Sequence, residues 1–280
     1  MAEKTKFLGL IDKVYPDVFN LCPPDVEEKK PGQLPYSEIQ KFYDEGYIVV
    51  KDFFTPEELE PCRQSIESMV EQLAQKLHKA GKIKHSGYFS CESYDHLIAT
   101  AWIPFLDAVP ENGCMQMAKN GHKRGKVAKH TCCVGPTWYI QLEEEEMANT
   151  LGVDLEKDVK IEPVPYGGFI LFHNLTPHRS LINVSNDIRW SVDLRWQSPH
   201  YDMGFYNIGD GIVFRSKNDR QLKPDWDKFL SVDRKVMWQK THMVDYDPND
   251  EFDSRLTGPW IGKWEIVNHN RHTQAFKFTQ

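Results

Sequence analysis

Features that would place the chain in a membrane, outside the cell or on nucleic acid are missing from its 280 residues. No apolar run reaches the roughly 20 residues that a membrane span needs. The first residues, Met-Ala-Glu-Lys-Thr-Lys-Phe, hold no apolar signal region. A net charge of -7 has the wrong sign for a surface that binds phosphate backbones. We therefore expect a protein of the cytoplasm, or of an organelle, with no membrane span and no nucleic-acid partner.

The cysteines give no sign of a disulfide framework. There are six of them, scattered along the chain, and none belongs to a Cys-x-x-Cys pair. Reduced, mostly buried thiols are the expectation for an acidic chain of this size, including the adjacent Cys132 and Cys133. Hydrophobic residues make up 40% of the chain, which is enough for a packed core, so disorder is not expected.

Local patterns predict helices first and short strands afterwards. After an irregular leader over residues 1–35, a helix capped by Ser37 is predicted up to Gly46, followed by a strand at Tyr47–Val50. Thr55-Pro56-Glu57-Glu58 has the pattern of a capping box and predicts a second helix that runs to about Ala80. The segment 36–80 is therefore expected to form a helix–strand–helix unit.

From residue 85 to residue 196 the sequence pattern changes and predicts short strands separated by turns rich in Gly and Pro. This pattern is typical of an all-β sandwich or barrel. Residues 197–280, rich in Asp, Asn, Trp and His, are expected to form an irregular cover. The whole chain, 1–280, is predicted to be a single domain of the α+β class.

One constellation in the β region has the chemistry of a metal and carboxylate site. His178 lies just after a predicted strand at Phe169–His173, and Arg189 lies on the next predicted strand, Ile188–Trp196. If these strands are antiparallel neighbours, the two side chains lie close together. A neutral imidazole is a good ligand for Fe(II), and a guanidinium donates two parallel hydrogen bonds to a carboxylate. A 2-oxo acid needs this combination, because one end chelates the metal while the far carboxylate is held.

Each half of the pair also has an ordinary interpretation. A lone histidine is more often structural than a ligand, and a lone arginine is usually at the surface or in an ion pair. Arg189, Ser191, Asp193 and Arg195 share one face of the predicted strand. That polar face could meet solvent, as one face of an antiparallel sheet commonly does.

Longer motifs in the same region resemble those of a known family. The motifs are Ala101-Trp102-Ile103-Pro104, Asp107-Ala108, Glu111 to Met115, Asn120-Gly121-His122-Lys123, and Gly167-Gly168-Phe169 through His178 to Arg189. They are similar to the signature of the phytanoyl-CoA dioxygenase family of iron(II)/2-oxoglutarate-dependent oxygenases. The resemblance covers most of the chain and is most specific over residues 167–196.

The resemblance implies a fold, two cofactors and residue roles. The fold would be a double-stranded β-helix, a jelly-roll or cupin-like core. His178 would be the distal ligand of Fe(II), Arg189 would bind the far carboxylate of 2-oxoglutarate, Ser180 would hydrogen-bond this co-substrate and Trp102 would line its pocket. The reaction would hydroxylate a small-molecule or acyl substrate while 2-oxoglutarate becomes succinate and CO2, with ascorbate as an optional reductant.

The sequence departs from the family pattern just before Ala101-Trp102. The family's His-x-Asp iron-ligand motif is not found there, and the one such tripeptide, His200-Tyr201-Asp202, follows the distal histidine and is taken as a chance match. Only residues 81–100 separate the long helix from this strand, so the chain is expected to be shortened here, as by a deletion. Whether it is an active enzyme is therefore left open.

Three functions remain compatible with this departure. The chain could be an oxygenase in which other side chains supply the lost ligands, namely Glu92 or Asp95 with His85 or His96. It could be an iron halogenase, a class in which a small residue replaces the carboxylate, as His85-Ser86-Gly87 would allow. It could also be an impaired or truncated family member that acts as a binding or interaction protein.

Overall fold

The computed structural model describes residues 21–25, 32–80, 96–201, 212–216, 218–219, 221–231, 257, 261–262 and 264–274, with the backbone alone over 70–80. Its helices are α1 (Tyr36–Glu45), α2 (Pro56–Ala80), α3 (Glu144–Asn149), α4 (Trp226–Ser231) and α5 (Arg271–Gln274). Its strands are β1 (Tyr47–Val50), β2 (Ile98–Pro104), β3 (Met115–Ala118), β4 (His130–Cys132), β5 (Ile140–Leu142), β6 (Val159–Glu162), β7 (Phe169–His173), β8 (His178–Ser180), β9 (Ser191–Gln197) and β10 (Glu265–Ile266).

The predicted helix–strand–helix unit is present as α1, β1 and α2. The capping box of α2 forms, since the amide of Glu58 donates to Thr55 Oγ1 over 3.3 Å and the amide of Thr55 donates to Glu58 Oε2 over 2.9 Å. The prediction that Ser37 caps α1 is wrong. That helix begins at Tyr36, directly after Pro35, without a side-chain capping bond.

Two antiparallel sheets form the centre of the molecule. The larger sheet has the order β1-β7-β2-β9 and the smaller one has the order β6-β3-β8. From β2 onwards the chain alternates between them: β2 is in the large sheet, β3 and β6 in the small one, β7 in the large, β8 in the small and β9 in the large. This alternation is the connectivity of a double-stranded β-helix, so the fold is α+β with a jelly-roll core, as predicted.

The core has two layers, one on each face of the large sheet. The layer between the two sheets consists of Tyr47, Trp102, Ala108, Cys114, Met115, Met117, Val164, Ile170 and Phe172. On the outer face, Leu59 of α2 packs with Ala101, Ile103, Phe105 and Phe169. Each such side chain stabilises the fold by roughly 1.5–3 kcal/mol through removal of its apolar surface from water.

A third sheet, also of three strands, contains β10, which is formed by residues near the C-terminus. Its order is β10-β4-β5, and β10 pairs with β4 in parallel. The expected irregular cover over 197–280 thus includes, within its described residues, two short helices and this one strand. Among the described residues no helix combines the length and the apolar character needed to cross a bilayer.

Candidate functional site

His178 is the first residue of β8 and faces the space between the two sheets. Its Nδ1 lies 2.8 Å from the carbonyl oxygen of Thr176. Because a carbonyl can only accept, Nδ1 carries the ring proton and Nε2 carries the lone pair. The ring packs against Phe172, with 4.4 Å between the ring centroids. This local turn fixes the imidazole in the tautomer that a metal ligand requires.

His178 remains neutral at neutral pH. Burial lowers its pKa below the usual histidine value, and the charge of Arg195 lowers it further. The hydrogen bond to Thr176 and the charge of Asp193 act in the opposite direction without outweighing burial. A neutral imidazole is the form that binds a metal ion.

Arg189 lies beside both of the other predicted co-substrate residues. Its Nη2 donates to Ser180 Oγ over 3.2 Å, and its guanidinium carbon lies 5.0 Å from the centre of the Trp102 ring. Its Nη1 donates to Ser191 Oγ over 3.0 Å. The structure therefore brings Arg189, Ser180 and Trp102 together, whereas their role in binding 2-oxoglutarate stays a prediction.

The predicted strand setting of this pair is partly wrong. Arg189 precedes β9, which begins at Ser191, and the strands β8 and β9 belong to different sheets rather than pairing with one another. Arg189 instead contacts Ser180, two residues after His178 on β8. His178 and Ser180 point to the same face of β8, roughly 6.6 Å apart by strand rise. The proposed iron ligand and the proposed carboxylate anchor are therefore linked through Ser180.

The polar face of β9 turns toward the inside of the molecule. Asp193 pairs with Trp102 and Arg195 pairs with Thr100 across the antiparallel ladder. Directly opposed residues share a face, so both charged side chains lie on the same face as the buried Trp102. Arg195 Nη2 contacts Asp193 Oδ2 at 3.1 Å, and both side chains keep about 30% of their surface exposed.

A cavity of about 750 Å³ opens next to His178. Its lining combines polar groups from both sheets with an acidic rim, and includes Thr100, Gln116, His130, Gln141, Glu143, Glu144, Asn174, His178, Arg179 and Arg195. Arg189, Ser180 and Trp102 lie outside this lining. The cavity therefore reaches His178 but not the arginine end of the site, and it has the volume of a site for a small molecule.

The described residues contain one candidate iron ligand at this place and no complete site. Among them, no three His, Cys, Asp or Glu side chains are grouped so as to hold a metal ion. His96, one of the predicted replacements, stacks on Tyr201 at 4.2 Å and has its Nε2 3.4 Å from Gln197 Oε1. The other predicted replacements and the halogenase-like tripeptide lie outside the described residues: His85, Ser86, Gly87, Glu92 and Asp95.

Two further histidines are buried near the site, behind the turn that leads to His178. His173 is fully buried at the end of β7, and its ring lies 5.3 Å from that of His122. His122 Nε2 lies 2.8 Å from the carbonyl oxygen of Tyr43. Sequence reasoning missed His122 as a core residue, because one polar residue in a loop has no periodic signal.

The sulfur atoms of the adjacent residues Cys132 and Cys133 lie next to each other. The expectation of reduced thiols stays a prediction at these two positions. Both residues are buried beside the third sheet. Cys22, Cys62 and Cys114, the other described cysteines, are free thiols as predicted.

Comparison with known proteins finds one family. Residues 71–191 match the family model described as phytanoyl-CoA dioxygenase. This segment contains Trp102, His178, Ser180 and Arg189. No curated protein matches the chain.

Several solved structures are distantly similar. EctD from S. alaskensis with bound Fe is 12% identical, with 68% of this chain and 85% of that chain covered and a TM-score of 0.48. EvdO2 from Micromonospora carbonacea var. aurantiaca, complexed with 2-oxoglutarate, is 12% identical, with 58% and 90% covered and a TM-score of 0.45. HygX from Streptomyces hygroscopicus, with nickel, 2-oxoglutarate and hygromycin B bound, is 13% identical, with 58% and 86% covered and a TM-score of 0.36. Likeness at this level carries no conclusion about function.

Proposed function

We propose that the chain is an iron(II)/2-oxoglutarate-dependent oxygenase of the phytanoyl-CoA dioxygenase family, whose model matches residues 71–191, and that it hydroxylates a small-molecule or acyl substrate. The overall reaction would consume oxygen and 2-oxoglutarate and release succinate and CO2. The observation that carries the proposal is the contact of Arg189 with Ser180 and Trp102 beside the neutral His178.

The arginine end of the site suits the far carboxylate of 2-oxoglutarate. Arg189 offers a planar set of donors, and Ser180 and Ser191 supply hydroxyl groups within 3.2 Å of it. The Trp102 ring lies under the guanidinium and restricts its movement. Charge-assisted hydrogen bonds of this kind are strongest where solvent is excluded.

The iron end is incomplete among the described residues. His178 has the correct tautomer and charge for a ligand, but a single imidazole binds iron weakly, because several fixed ligands together supply the affinity. We propose His85, outside the described residues, as the second ligand.

The substrate would enter through the large cavity next to His178. That cavity is lined by amides and hydroxyls as well as by Phe172 and Met117. This mixture suits a small molecule with both polar groups and an apolar part.

A second candidate function is supported by one observation, the lack of a three-ligand group among the described residues. In this case the chain binds 2-oxoglutarate through Arg189 but does not turn over, and acts as a binding or interaction protein. The two candidates share the carboxylate anchor and differ only in the metal.

An anaerobic titration with Fe(II) and 2-oxoglutarate tests both candidates. An oxygenase develops the visible charge-transfer band of an iron–2-oxoglutarate chelate, and it binds 2-oxoglutarate more tightly with iron than without. The binding protein takes up 2-oxoglutarate, as seen by calorimetry, but develops no band. Failure of the wild-type chain to bind 2-oxoglutarate under either condition would remove the proposed function.

Two substitutions test the roles proposed for Arg189 and His178. Arg189→Ala should weaken 2-oxoglutarate binding by about 10-fold to 100-fold, because a charge-assisted pair contributes roughly 1.5–3 kcal/mol. His178→Ala should abolish the charge-transfer band while leaving metal-free binding of 2-oxoglutarate nearly unchanged. Arg63→Ala is the matched control, since Arg63 lies on α2, outside the cavity lining, and already pairs with Glu60 and Glu67.

A further inference from the structure

His130 is a second histidine with the local geometry of His178. Its Nδ1 lies 2.7 Å from the carbonyl oxygen of Ala128, two residues earlier. In the same way, Nδ1 of His178 contacts the carbonyl of Thr176, two residues before it. Because a carbonyl oxygen can only accept, Nδ1 of His130 carries the ring proton and Nε2 carries the lone pair. Nε2 of His130 is therefore a hydrogen-bond acceptor.

The ring of His130 is held in place and is neutral. It packs against Trp264, with 4.9 Å between the ring centroids, and it is the first residue of β4, which pairs with β5 and β10. Burial lowers the pKa of His130 from 6.5 to about 4, although the hydrogen bond to Ala128 and the charge of Glu146 act in the opposite direction. At neutral pH this side chain thus offers one acceptor in a fixed direction.

The acceptor on Nε2 of His130 is not used within the described part of the chain. No described residue donates a hydrogen bond to it, and the atom is not sealed off from solvent. His130 belongs to the lining of the large cavity, as does His178. The cavity wall thus presents two imidazole acceptors, of which His178 is the proposed iron ligand and His130 has no assigned role.

The cavity wall around His130 is largely apolar. Leu142 lies directly opposite His130 on β5, and Ile140 lies two residues before it on the same face of that strand. Both line the cavity, as do Val127 and Ala128 just before His130. A molecule that displaces water from this wall without donating a hydrogen bond leaves Nε2 unpaired, which costs free energy. The wall therefore selects by chemistry at one point and by shape elsewhere.

We propose that His130 accepts a hydrogen bond from a hydroxyl group of the substrate, so that the substrate is an alcohol-bearing small molecule rather than an unsubstituted acyl chain. This inference rests on the proposed function, since it names the substrate class of the same cavity. His130 is a specificity-determining residue in this arrangement. It orients the substrate by one hydrogen bond, and it disfavours any molecule that brings no donor to this point of the wall.

A single acceptor matches a hydroxyl better than an ammonium group. A hydroxyl has one hydrogen to donate, whereas an ammonium has three, of which Nε2 could satisfy only one. The nearby carboxylate of Glu146 already accepts from the amide of Lys129 over 3.2 Å and from Thr150 Oγ1 over 2.8 Å. Burial of an ionised group with unmet donors costs more than burial of a neutral one. The carboxylates that line the cavity are exposed at its rim: Glu143, Glu144 and Glu145.

Nitrogen NMR on the full chain, with isotope-labelled histidines, tests the proposal without iron or 2-oxoglutarate. Two isomeric probes are compared: cyclohexylmethanol, which can donate a hydrogen bond, and cyclohexyl methyl ether, which can only accept one. The alcohol should shift the Nε2 resonance of His130, because a hydrogen bond to a bare nitrogen changes its shielding, and the ether should not. His269 is the control in the same spectrum, since it is exposed and lies outside the cavity lining.

Substitutions at His130 identify the resonance and measure the selectivity. His130→Leu removes the acceptor, so the preference for the alcohol over the ether, as a ratio of Kd values, should fall by about tenfold. His130→Gln should recover part of this preference, because the amide oxygen of Gln can occupy the position of Nε2, and it also shows that the site tolerates substitution. His269→Leu should keep the wild-type preference.

Four outcomes overturn the proposal. They are a His130 resonance that the alcohol leaves unmoved, a shift at His178 alone, an equal shift with the ether, and a wild-type preference retained by His130→Leu. Tighter binding of protonated cyclohexylmethylamine than of the alcohol would overturn the assignment to a hydroxyl. None of these outcomes depends on iron or 2-oxoglutarate, so a failure of the proposed function is seen separately, in the anaerobic titration.

Discussion

Mild acid should destabilise this protein through His173, which is buried in neutral form. The amide of Leu175 donates to His173 Nδ1 over 2.9 Å, so the neutral ring carries its proton on Nε2. Burial lowers the pKa of His173 from 6.5 to about 3, and the nearby His122 lowers it in the same direction. A second proton on this ring would leave a positive charge inside the core.

The direction and size of this loss of stability follow from the pKa of His173 in the folded chain and in the unfolded chain. Above the unfolded pKa near 6.5 both states are neutral at this residue, and its stabilising contribution is fully present. As the pH falls below that value, the unfolded chain takes up a proton that the folded chain does not, and stability is lost. At about pH 5 the loss is roughly 2 kcal/mol, at 1.36 kcal/mol for each pH unit. Total stability is typically only 5–15 kcal/mol.

Urea unfolding followed by circular dichroism at several pH values between about 7.5 and 5 measures this loss. The free energy of unfolding should fall with pH, and His173→Gln should remove close to one proton's worth of the slope, whatever its own effect on stability. Thr55→Ala, which removes a capping bond but no titratable group, should lower the free energy of unfolding and leave the slope unchanged. A free energy of unfolding that is flat over this range, or a slope that survives His173→Gln, would refute the reasoning.

The remaining predictions concern backbone fit and helix capping. Gly46→Ala should destabilise the fold by about 3 kcal/mol or more, because a Cβ there would lie 2.6 Å from His122 Nδ1 at a φ of +90°. Gly135 also has a positive φ, but the space around a Cβ there is open. If thermal unfolding showed a similar loss of stability for Gly135→Ala, a clash would not explain the loss at Gly46. Thr55→Ala should cost about 1 kcal/mol through its capping bond, whereas Ser37→Ala should change stability by less than about 0.5 kcal/mol. Equal midpoints in urea for these two variants would argue against the capping assignment.

Local patterns in the sequence predicted local structure well. The capping box at Thr55 and Glu58 needs only two residues three positions apart, and both of its hydrogen bonds form. The alternation after Ser191 gave the correct strand and the correct grouping of its faces. Ser37 failed as a cap because the fixed φ of the preceding Pro35 starts the helix one residue earlier.

The arrangement of the strands in the two sheets could not be predicted from local sequence patterns. The residues next to His178 and Arg189 do not show that β8 and β9 belong to opposite sheets. The sheet of each strand is set by its partner, and those partners lie far away in the chain: His178 of β8 pairs with Met117, and Asp193 of β9 pairs with Trp102. The inward direction of Asp193 also depends on the partner strand.

The placement of β8 and β9 in separate sheets has a consequence for the proposed co-substrate site. His178 and Ser180 belong to one sheet, whereas Arg189 precedes a strand of the other, so the position of Arg189 relative to His178 depends on how the two sheets pack. Met115 lies in the layer between the sheets, and the Ser180 hydroxyl donates to its sulfur over 3.5 Å. The unbranched, adaptable side chain of Met115 thus helps to position the hydroxyl that Arg189 contacts. A substitution that shortens Met115 would therefore act on the proposed anchor for the co-substrate without touching Arg189 itself.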